Sequence, residues 1–146
     1  ADDCMDNVTF NTINNTTVAE ACPDSYGDYT AISTDVERGQ TYAISVQVNN
    51  NCDGSGPWNQ FAKVWIDWNQ NCAFEASEAT DLGSTGAVAL PPPLTANITV
   101  PLDAELGETT MRVIEQFSAS PATACSPTST TFGEAEDYTV NVLPAP

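Results

Sequence analysis

Residues 40–48 read QTYAISVQV, an alternation of apolar and polar side chains. The apolar members are Tyr42, Ile44, Val46 and Val48, and small or polar residues stand between them. A period of two places the two sets on opposite faces of a strand, so that one face is buried and the other meets water. The stretch therefore predicts a half-buried β-strand.

Other short segments with the same character lie on both sides of this strand. They are separated by turn-forming Gly, Pro, Asn and Asp residues, and none carries the 3.6-residue apolar stripe of a helix. Many short strands with regular punctuation are typical of a sandwich. The sequence thus predicts one all-β domain over residues 1–146, an antiparallel β-sandwich of jelly-roll or immunoglobulin-like type. The further predicted strands are residues 8–13, 26–33, 61–68, 95–100, 109–117 and 137–143, with a polar turn at 14–17 and an irregular stretch at 69–93.

A short internal repetition links two of these segments. Asp28-Tyr29-Thr30 recurs as Asp137-Tyr138-Thr139. Two explanations stay open, chance and a paired role on neighbouring strands.

The charge balance excludes several classes of partner. The chain has 20 Asp and Glu against 3 Lys and Arg, which gives a net charge of −17. Such a surface repels nucleic-acid phosphates and anionic membranes, so neither is an expected partner, and no apolar run is long enough for membrane insertion. The surplus acids keep the protein soluble, and some of them are candidates for holding a divalent cation.

Five cysteines indicate a disulfide framework and hence an oxidising compartment. We expect a secreted or cell-surface protein, and we expect this chain to be part of a longer exported one. Cys4 and Cys22 flank the first predicted strand, and Cys52 and Cys72 flank the strand at 61–68, which suggests two bonds. Cys125 either stays free or pairs with Cys4 or Cys22.

Residues for catalysis are scarce in this sequence. Histidine is absent and lysine occurs once, at Lys63, so catalytic triads and the HExxH zinc motif are excluded. Chance pairs of carboxylates remain, but nothing in the sequence selects one pair. We therefore expect a non-catalytic module.

Residues 67–78, DWNQNCAFEASE, match the ligand positions of the calcium-loop pattern. Asp67, Asn69 and Asn71 fall at positions 1, 3 and 5, the Ala73 carbonyl falls at position 7, and Glu78 falls at position 12. Alternate oxygen-bearing side chains in a tight loop converge on one point, which suits a structural Ca²⁺ ion. The pattern departs at Cys72, where calcium loops have glycine. The alternative is a polar turn whose Asp and Asn side chains bond their own backbone.

Three aromatic residues are candidates for ligand binding. Trp58 lies in a Gly-rich loop, residues 53–59, where its ring is suited to stack on the apolar face of a sugar. Trp65 and Tyr26 are candidates to stack beside it. Core packing is the alternative for Trp58. It is the default for Trp65, which alternates with Val64 and Ile66, and for Trp68, which lies on the Val64 and Ile66 face.

Several further motifs occur in order and, with residues 28–30, cover most of the chain: residues 64–71 (VWIDWNQN), Val100-Pro101 with Ala104 and Gly107, Met111-Arg112-Val113, and residues 133–139 (GEAEDYT). Together these motifs resemble the GEVED domain family. The resemblance implies a β-sandwich module appended to secreted multidomain proteins, including peptidases and polysaccharide-degrading enzymes, mostly of Bacteroidetes-type bacteria. The family's acidic loop commonly reads Asp-Trp-Asn-x-Asp-Gly, so this chain departs from it at Asn71 and Cys72.

These observations favour a carbohydrate-binding accessory module with a polysaccharide as its partner. It would hold a neighbouring catalytic domain of a secreted enzyme near a neutral glycan such as a β-glucan, since acidic polymers are repelled. The alternative is a structural or protein-interaction spacer, or an export-related domain, of a secreted peptidase or adhesin.

Overall fold

Nine strands arranged in two sheets make up the part of the chain that the computed structural model describes, residues 4–17, 26–52, 54–125 and 132–146. The prediction of an all-β chain is confirmed. A single turn of 3₁₀ helix at Ala76–Glu78 is the helical element among these residues, and none of their helical segments is long and apolar enough to cross a bilayer. The strands are β1 Cys4–Phe10, β2 Ile13–Thr16, β3 Tyr26–Glu37, β4 Thr41–Asn49, β5 Gln60–Ile66, β6 Ala79–Ser84, β7 Leu94–Thr99, β8 Gly107–Phe117 and β9 Gly133–Leu143.

The strand order is β2-β1-β4-β7 in one sheet and β3-β9-β8-β5-β6 in the other. The prediction of purely antiparallel pairing is wrong at one place, because β3 runs parallel to β9. A tight turn at Arg38 and Gly39 carries the chain from β3 into β4 of the opposite sheet. Strand β3 therefore pairs with no sequence neighbour and occupies the free edge of β9.

The internal repetition lies on this parallel pair. Asp28 is in register with Asp137, and Tyr29 is in register with Tyr138. The two tyrosine rings stack with centroids 5.7 Å apart and planes 23° apart. The paired role on neighbouring strands is confirmed.

The main core lies between the two sheets. Alternate side chains of β4 point into it, and Ile44, Val46 and Val48 are buried as their spacing predicts. Both sheets contribute to this one cluster, so each supplies the apolar surface that the other must cover. Its largest members include Phe10, Ile44, Ile66, Met111 and Tyr138.

A second apolar cluster covers the outer face of the five-stranded sheet. Trp65 forms it with Ile114, Ala124 and Ala135, and Phe74 packs against them. This face is therefore shielded by the chain that follows β5 and β8, which explains why β5 is apolar on both of its faces.

Two boundaries differ from the sequence-based expectation. The segment at 8–13 is not one strand, since a turn at Asn11 and Thr12 separates β1 from β2, and Asn11 adopts a φ of 51°. The stretch at 69–93, predicted to be irregular, contains β6. That strand pairs with β5 alone and buries only Leu82 well, so it lacks a strong alternating pattern.

The strands define two ends of the fold. At the end that we call the Trp58 end, β4, β6 and β8 finish and β5, β7 and β9 begin. At the opposite end, the Asp67 end, β5 finishes and β6 and β8 begin. The predicted calcium loop and the predicted stacking residue Trp58 thus lie at opposite ends of the fold.

Candidate functional site

Asp67 anchors the loop that joins β5 to β6. Its N–H donates to the Thr110 carbonyl at 3.2 Å, and its own carbonyl accepts from the Thr109 hydroxyl at 2.6 Å. The buried carboxylate accepts the N–H of Asn71 at Oδ1, 3.2 Å, and the N–H of Cys72 at Oδ2, 3.0 Å. The first residue of the predicted loop therefore fixes the turn through its carboxylate.

The two asparagines of the pattern direct their side-chain oxygens to the loop backbone. Asn69 Oδ1 accepts the N–H of Asn71 at 3.1 Å, and Asn71 Oδ1 accepts the N–H of Ala73 at 2.9 Å. These contacts are those of the polar-turn alternative. The carbonyl of Ala73 as a ligand stays a prediction.

Glu78 closes the loop from the 3₁₀ turn. Its carboxylate accepts the N–H of Glu75 at 3.0 Å and the N–H of Asn69 at 3.5 Å. Burial raises the pKa of the Glu78 carboxyl above its ordinary value, and the charges of Glu75 and Asp67 act in the same direction. A carboxylate held near two others is one that a bound cation would stabilise.

Glu75 is a residue of this loop that the sequence pattern did not single out. Its carboxylate accepts the side-chain amides of Asn69 at 2.8 Å and Asn71 at 2.5 Å. These hydrogen bonds, that of Asn71 first, lower the pKa of the Glu75 carboxyl. Glu75 falls at loop position 9, where calcium loops often place a ligand that acts through water, and this position was the available signal.

Cys72 takes the backbone conformation of the glycine that it replaces. Its φ is 65°, in the left-handed region that calcium loops reserve for glycine at position 6. The substitution therefore preserves the turn.

The donor set of the loop fits a hard cation such as Ca²⁺, since it consists of carboxylate and amide oxygens. Within residues 4–17, 26–52, 54–125 and 132–146, no group of three or more His, Cys, Asp or Glu side chains is arranged to hold a metal. As described, the side-chain oxygens cap backbone N–H groups, so the loop is folded through its own hydrogen bonds.

A groove of about 430 Å³ runs beside the loop along β8, and Arg112 forms part of its lining. Arg112 binds Asp137 with two bonds of 2.8 Å and donates to the Ala124 carbonyl at 2.9 Å. Its guanidinium lies 5.8 Å from the Tyr26 ring centre and 5.2 Å from that of Phe74. Tyr26, 47% exposed, donates its hydroxyl to Asp137 at 2.7 Å. The groove is therefore bordered by a rigid ion pair between two aromatic rings.

Trp58 is held firmly while its ring remains 40% exposed. Asn50 fixes its backbone on both sides, because the Asn50 carbonyl accepts the Trp58 N–H at 2.9 Å and the Asn50 amide donates to the Trp58 carbonyl at 3.0 Å. The indole N–H donates to Ser55 Oγ at 3.2 Å. The ring meets Phe117 edge to face, with centroids 5.8 Å apart and planes at 84°. Trp58 is therefore not a core residue, and its role as a stacking residue for a sugar stays a prediction.

Trp65 and Tyr26 do not join Trp58 in one site. Trp65 is 2% exposed within the outer apolar cluster, which leaves no ring face for a ligand and corrects its prediction as a stacking residue. Tyr26 aligns through Ala135 and Ile114 with Lys63, three strands from β5. Strand and residue spacings then separate Tyr26 from Trp58 by on the order of 20 Å.

The predicted Cys52–Cys72 disulfide is absent. The Cys52 thiol donates to the Asn49 carbonyl at 3.2 Å, and Cys72 is a free, exposed thiol, as is Cys125. The two residues flank β5 in the sequence, but a seven-residue strand of about 20 Å holds them at opposite ends, and a disulfide needs Cα atoms within about 7 Å. Cys22 lies outside the described residues, so the Cys4–Cys22 pairing stays a prediction.

The sequence motif at 133–137, GEAED, begins β9 and points its residues to two faces. Glu134 and Glu136 are buried on the inner face. Glu134 Oε2 accepts the N–H of Met5 at 2.8 Å, and Glu136 accepts the hydroxyl of Tyr138. Asp137 on the outer face holds Arg112. The acids of this motif thus link β9 to β1 and β8 rather than facing solvent.

The geometry thus defines a class of protein, an all-β domain of two sheets in which the GEAED motif begins strand β9. The family model of the GEVED domain matches residues 61–141, more than half of the chain. The chain therefore belongs to the GEVED domain family, as its motifs predict. No curated protein matches the chain.

Proposed function

We propose that this domain is a non-catalytic, β-sandwich carbohydrate-binding module of a secreted polysaccharide-degrading enzyme. It holds the neighbouring catalytic domain near a neutral glycan such as a β-glucan. The observation that carries the proposal is the half-exposed ring of Trp58, fixed through Asn50 and Phe117. A preorganised ring loses little entropy when a sugar stacks on it.

The composition supports a binding role rather than catalysis. The chain has no histidine and a single lysine, so every mechanism that uses histidine as the general base is missing. The charge of −17 supports a neutral glycan, because uronate or sulfated polymers would be repelled.

Affinity electrophoresis over a panel of neutral polysaccharides tests the proposal. We expect one or more glycans to retard the wild-type chain, with a Kd in the micromolar to millimolar range, and Trp58→Ala to migrate freely. Leu102→Ala is the matched control, since Leu102 is exposed near the opposite end. If no glycan retards the chain, or if Trp58→Ala is retarded like the wild type, the spacer hypothesis takes its place.

For the loop at 67–78 the proposed ligand is a structural Ca²⁺ ion held by Asp67, Asn69, Asn71, Glu78 and the Ala73 carbonyl. Support comes from the oxygen donors, the left-handed φ of Cys72 and the raised pKa of Glu78. The ion would replace the hydrogen bonds that now occupy these oxygens, and it would stabilise the folded chain by mass action.

Thermal melts in calcium and in chelator test this ion. We expect calcium to raise the melting temperature, magnesium at equal ionic strength to raise it less, and Glu78→Gln to abolish the calcium-specific difference. Identical melting curves in calcium and chelator would leave the loop as a polar turn held by its own side chains.

A further inference from the structure

Trp58 belongs to a strip of three aromatic rings at the surface. Phe117 lies between Trp58 and Phe132, with centroid distances of 5.8 and 6.4 Å. Phe132 is 56% exposed. We call Trp58, Phe117 and Phe132 the aromatic strip. None of these rings is close to another in sequence, so the strip exists only because β5, β8 and β9 meet at the Trp58 end.

An amide-rich groove of about 460 Å³ lies at the same end. Gln47, Asn49, Asn50 and Asn51 line one part of it, and Leu90 and Pro91 line another. We call it the amide groove. Asn50 connects it to the strip, because this residue lines the groove and holds the Trp58 backbone on both sides.

The strip and the groove are nearly neutral on a strongly acidic protein. Asp6 is the one ionisable side chain among the described residues that line either of them, while the chain as a whole carries a net charge of −17. The amide groups of Gln47 and Asn50 donate to main-chain carbonyls and so hold the wall of the groove, while Asn51 is exposed. An exposed amide side chain both donates and accepts hydrogen bonds, which matches the paired donor and acceptor character of hydroxyl groups. Aromatic faces match the apolar C–H faces of sugar rings. The surface therefore suits an uncharged ligand that is rich in hydroxyls.

The length of the strip indicates more than one sugar. A pyranose ring is similar in size to one aromatic ring, so a single sugar covers only one member of the strip. The strip is also not flat, since Phe117 stands at 84° to Trp58 and at 75° to Phe132. A flat crystalline glycan surface cannot contact such rings together, whereas a single twisted chain can.

We propose that the Trp58 end binds an internal segment of a single, soluble, neutral polysaccharide chain across the aromatic strip and the amide groove. This inference rests on the proposed function and defines its ligand as a chain of several sugars, not a terminal sugar or a crystalline surface. Phe132 and Asn51 are assigned as binding residues together with Trp58.

Calorimetric titration with oligosaccharides of increasing length tests the inference. The glycan that retards the chain in electrophoresis supplies the series, for example cello- or laminari-oligosaccharides from disaccharide to hexasaccharide. We expect the Kd to fall at least tenfold from the shortest to the longest, and the hexasaccharide to compete with the polysaccharide. Phe132→Ala and Asn51→Ala should each weaken hexasaccharide binding by about tenfold, or about 1.4 kcal/mol. Leu102→Ala should bind like the wild type.

The outcomes separate this inference from the proposed function. A Kd that does not change with length, or hexasaccharide binding untouched by Phe132→Ala and Asn51→Ala, would overturn the extended site while leaving a single-sugar site at Trp58. Binding to microcrystalline glycan without competition by the soluble hexasaccharide would also overturn it. If no glycan retards the chain in electrophoresis, both the extended site and the proposed carbohydrate-binding function are refuted. Circular dichroism checks that the variants are folded, as expected from exposed positions.

Discussion

Among single residues, Arg112 has the most connected side chain on the outer face of the five-stranded sheet. It holds Asp137 of β9 through a two-bond fork, reaches the Ala124 carbonyl and lies between the rings of Tyr26 and Phe74. Only a planar guanidinium makes all these contacts together. A position that the sequence marks simply as one of three basic residues is thus a structural anchor.

Replacing Arg112 with lysine should therefore destabilise the fold although the charge is kept. We expect Arg112→Lys to lower the free energy of unfolding by about 2 kcal/mol, since charge-assisted bonds to Asp137 and one bond to Ala124 are lost. Urea denaturation measures the change. Arg38→Lys is the control with a smaller expected loss, because Arg38 makes one side-chain bond, to the Ala104 carbonyl. Equal losses in the two variants would contradict the anchoring role.

Tyr26 should give the protein an alkaline transition. Burial, the hydrogen bond to Asp137 and the charges of Asp137 and Asp28 raise the pKa of Tyr26 from 10.0 to about 12. Because the folded state resists loss of this proton, the stability that the group provides is present below pH 10.0 and is lost as the pH rises through about 12.

The ultraviolet absorbance of tyrosinate and denaturation at alkaline pH measure this transition. Tyr26→Phe should lack the absorbance step near pH 12, and its stability should decline less than that of the wild type in the same window. Tyr42→Phe is the control that keeps the step. An unchanged titration in Tyr26→Phe would refute the assignment.

At the scale of elements, the strands that the sequence predicts well are those whose faces differ. Strand β4 alternates cleanly and is placed within one residue, whereas β6 contributes mainly Leu82 to the core and has no comparable pattern. Parallel pairing of β3 with β9 depends on where a distant strand lies, which local periodicity does not report. The shared Asp-Tyr-Thr triplets were the one local trace of it.

The candidate sites divide in the same way. The spacing of Asp67, Asn71 and Glu78 identifies the loop because its contacts are local, and Glu75 was missed because position 9 of the pattern is variable. The aromatic strip joins residues that are far apart in sequence, so Trp58 alone was recognised. The mistaken Cys52–Cys72 bond has the same origin, since proximity in sequence does not bring together the two ends of a strand.

Cys72 allows a direct test of the loop geometry. A residue with a Cβ atom in the left-handed region costs about 1 kcal/mol, which glycine does not incur. We expect Cys72→Gly to raise the free energy of unfolding by about that amount in chemical denaturation. Cys72→Ser keeps the Cβ and removes the thiol, so it should behave like the wild type. A lower stability of Cys72→Gly would show that the thiol, not the backbone, matters.

At the scale of the whole molecule, self-repulsion opposes the compact state. Twenty acidic residues and three basic ones share one small domain, and the described ion pair between Arg112 and Asp137 offsets little of this charge. At 0.1 M salt, the repulsion between exposed charges that are more than about 10 Å apart is largely screened. The net charge therefore couples the stability of the domain to ionic strength.

We expect the melting temperature to rise by several degrees as sodium chloride is increased from low to physiological concentration. Scanning calorimetry in chelator measures this effect apart from any calcium binding. Asp103→Asn combined with Glu105→Gln removes two exposed charges, so the variant should melt higher at low salt and respond less to added salt. A melting temperature that falls with salt would contradict repulsion as the dominant effect.

The parallel pairing of β3 with β9 has a consequence for the order of events during synthesis. Strand β9 lies between β3 and β8, so the five-stranded sheet is split in two until residues 133–143 have left the ribosome. Until then the apolar faces of the earlier strands remain partly exposed. Pairing β3 with β9 closes a long loop, and such non-local pairing is slow. The five-stranded sheet of this domain is therefore completed only after strand β9 has emerged and joined β3 to β8.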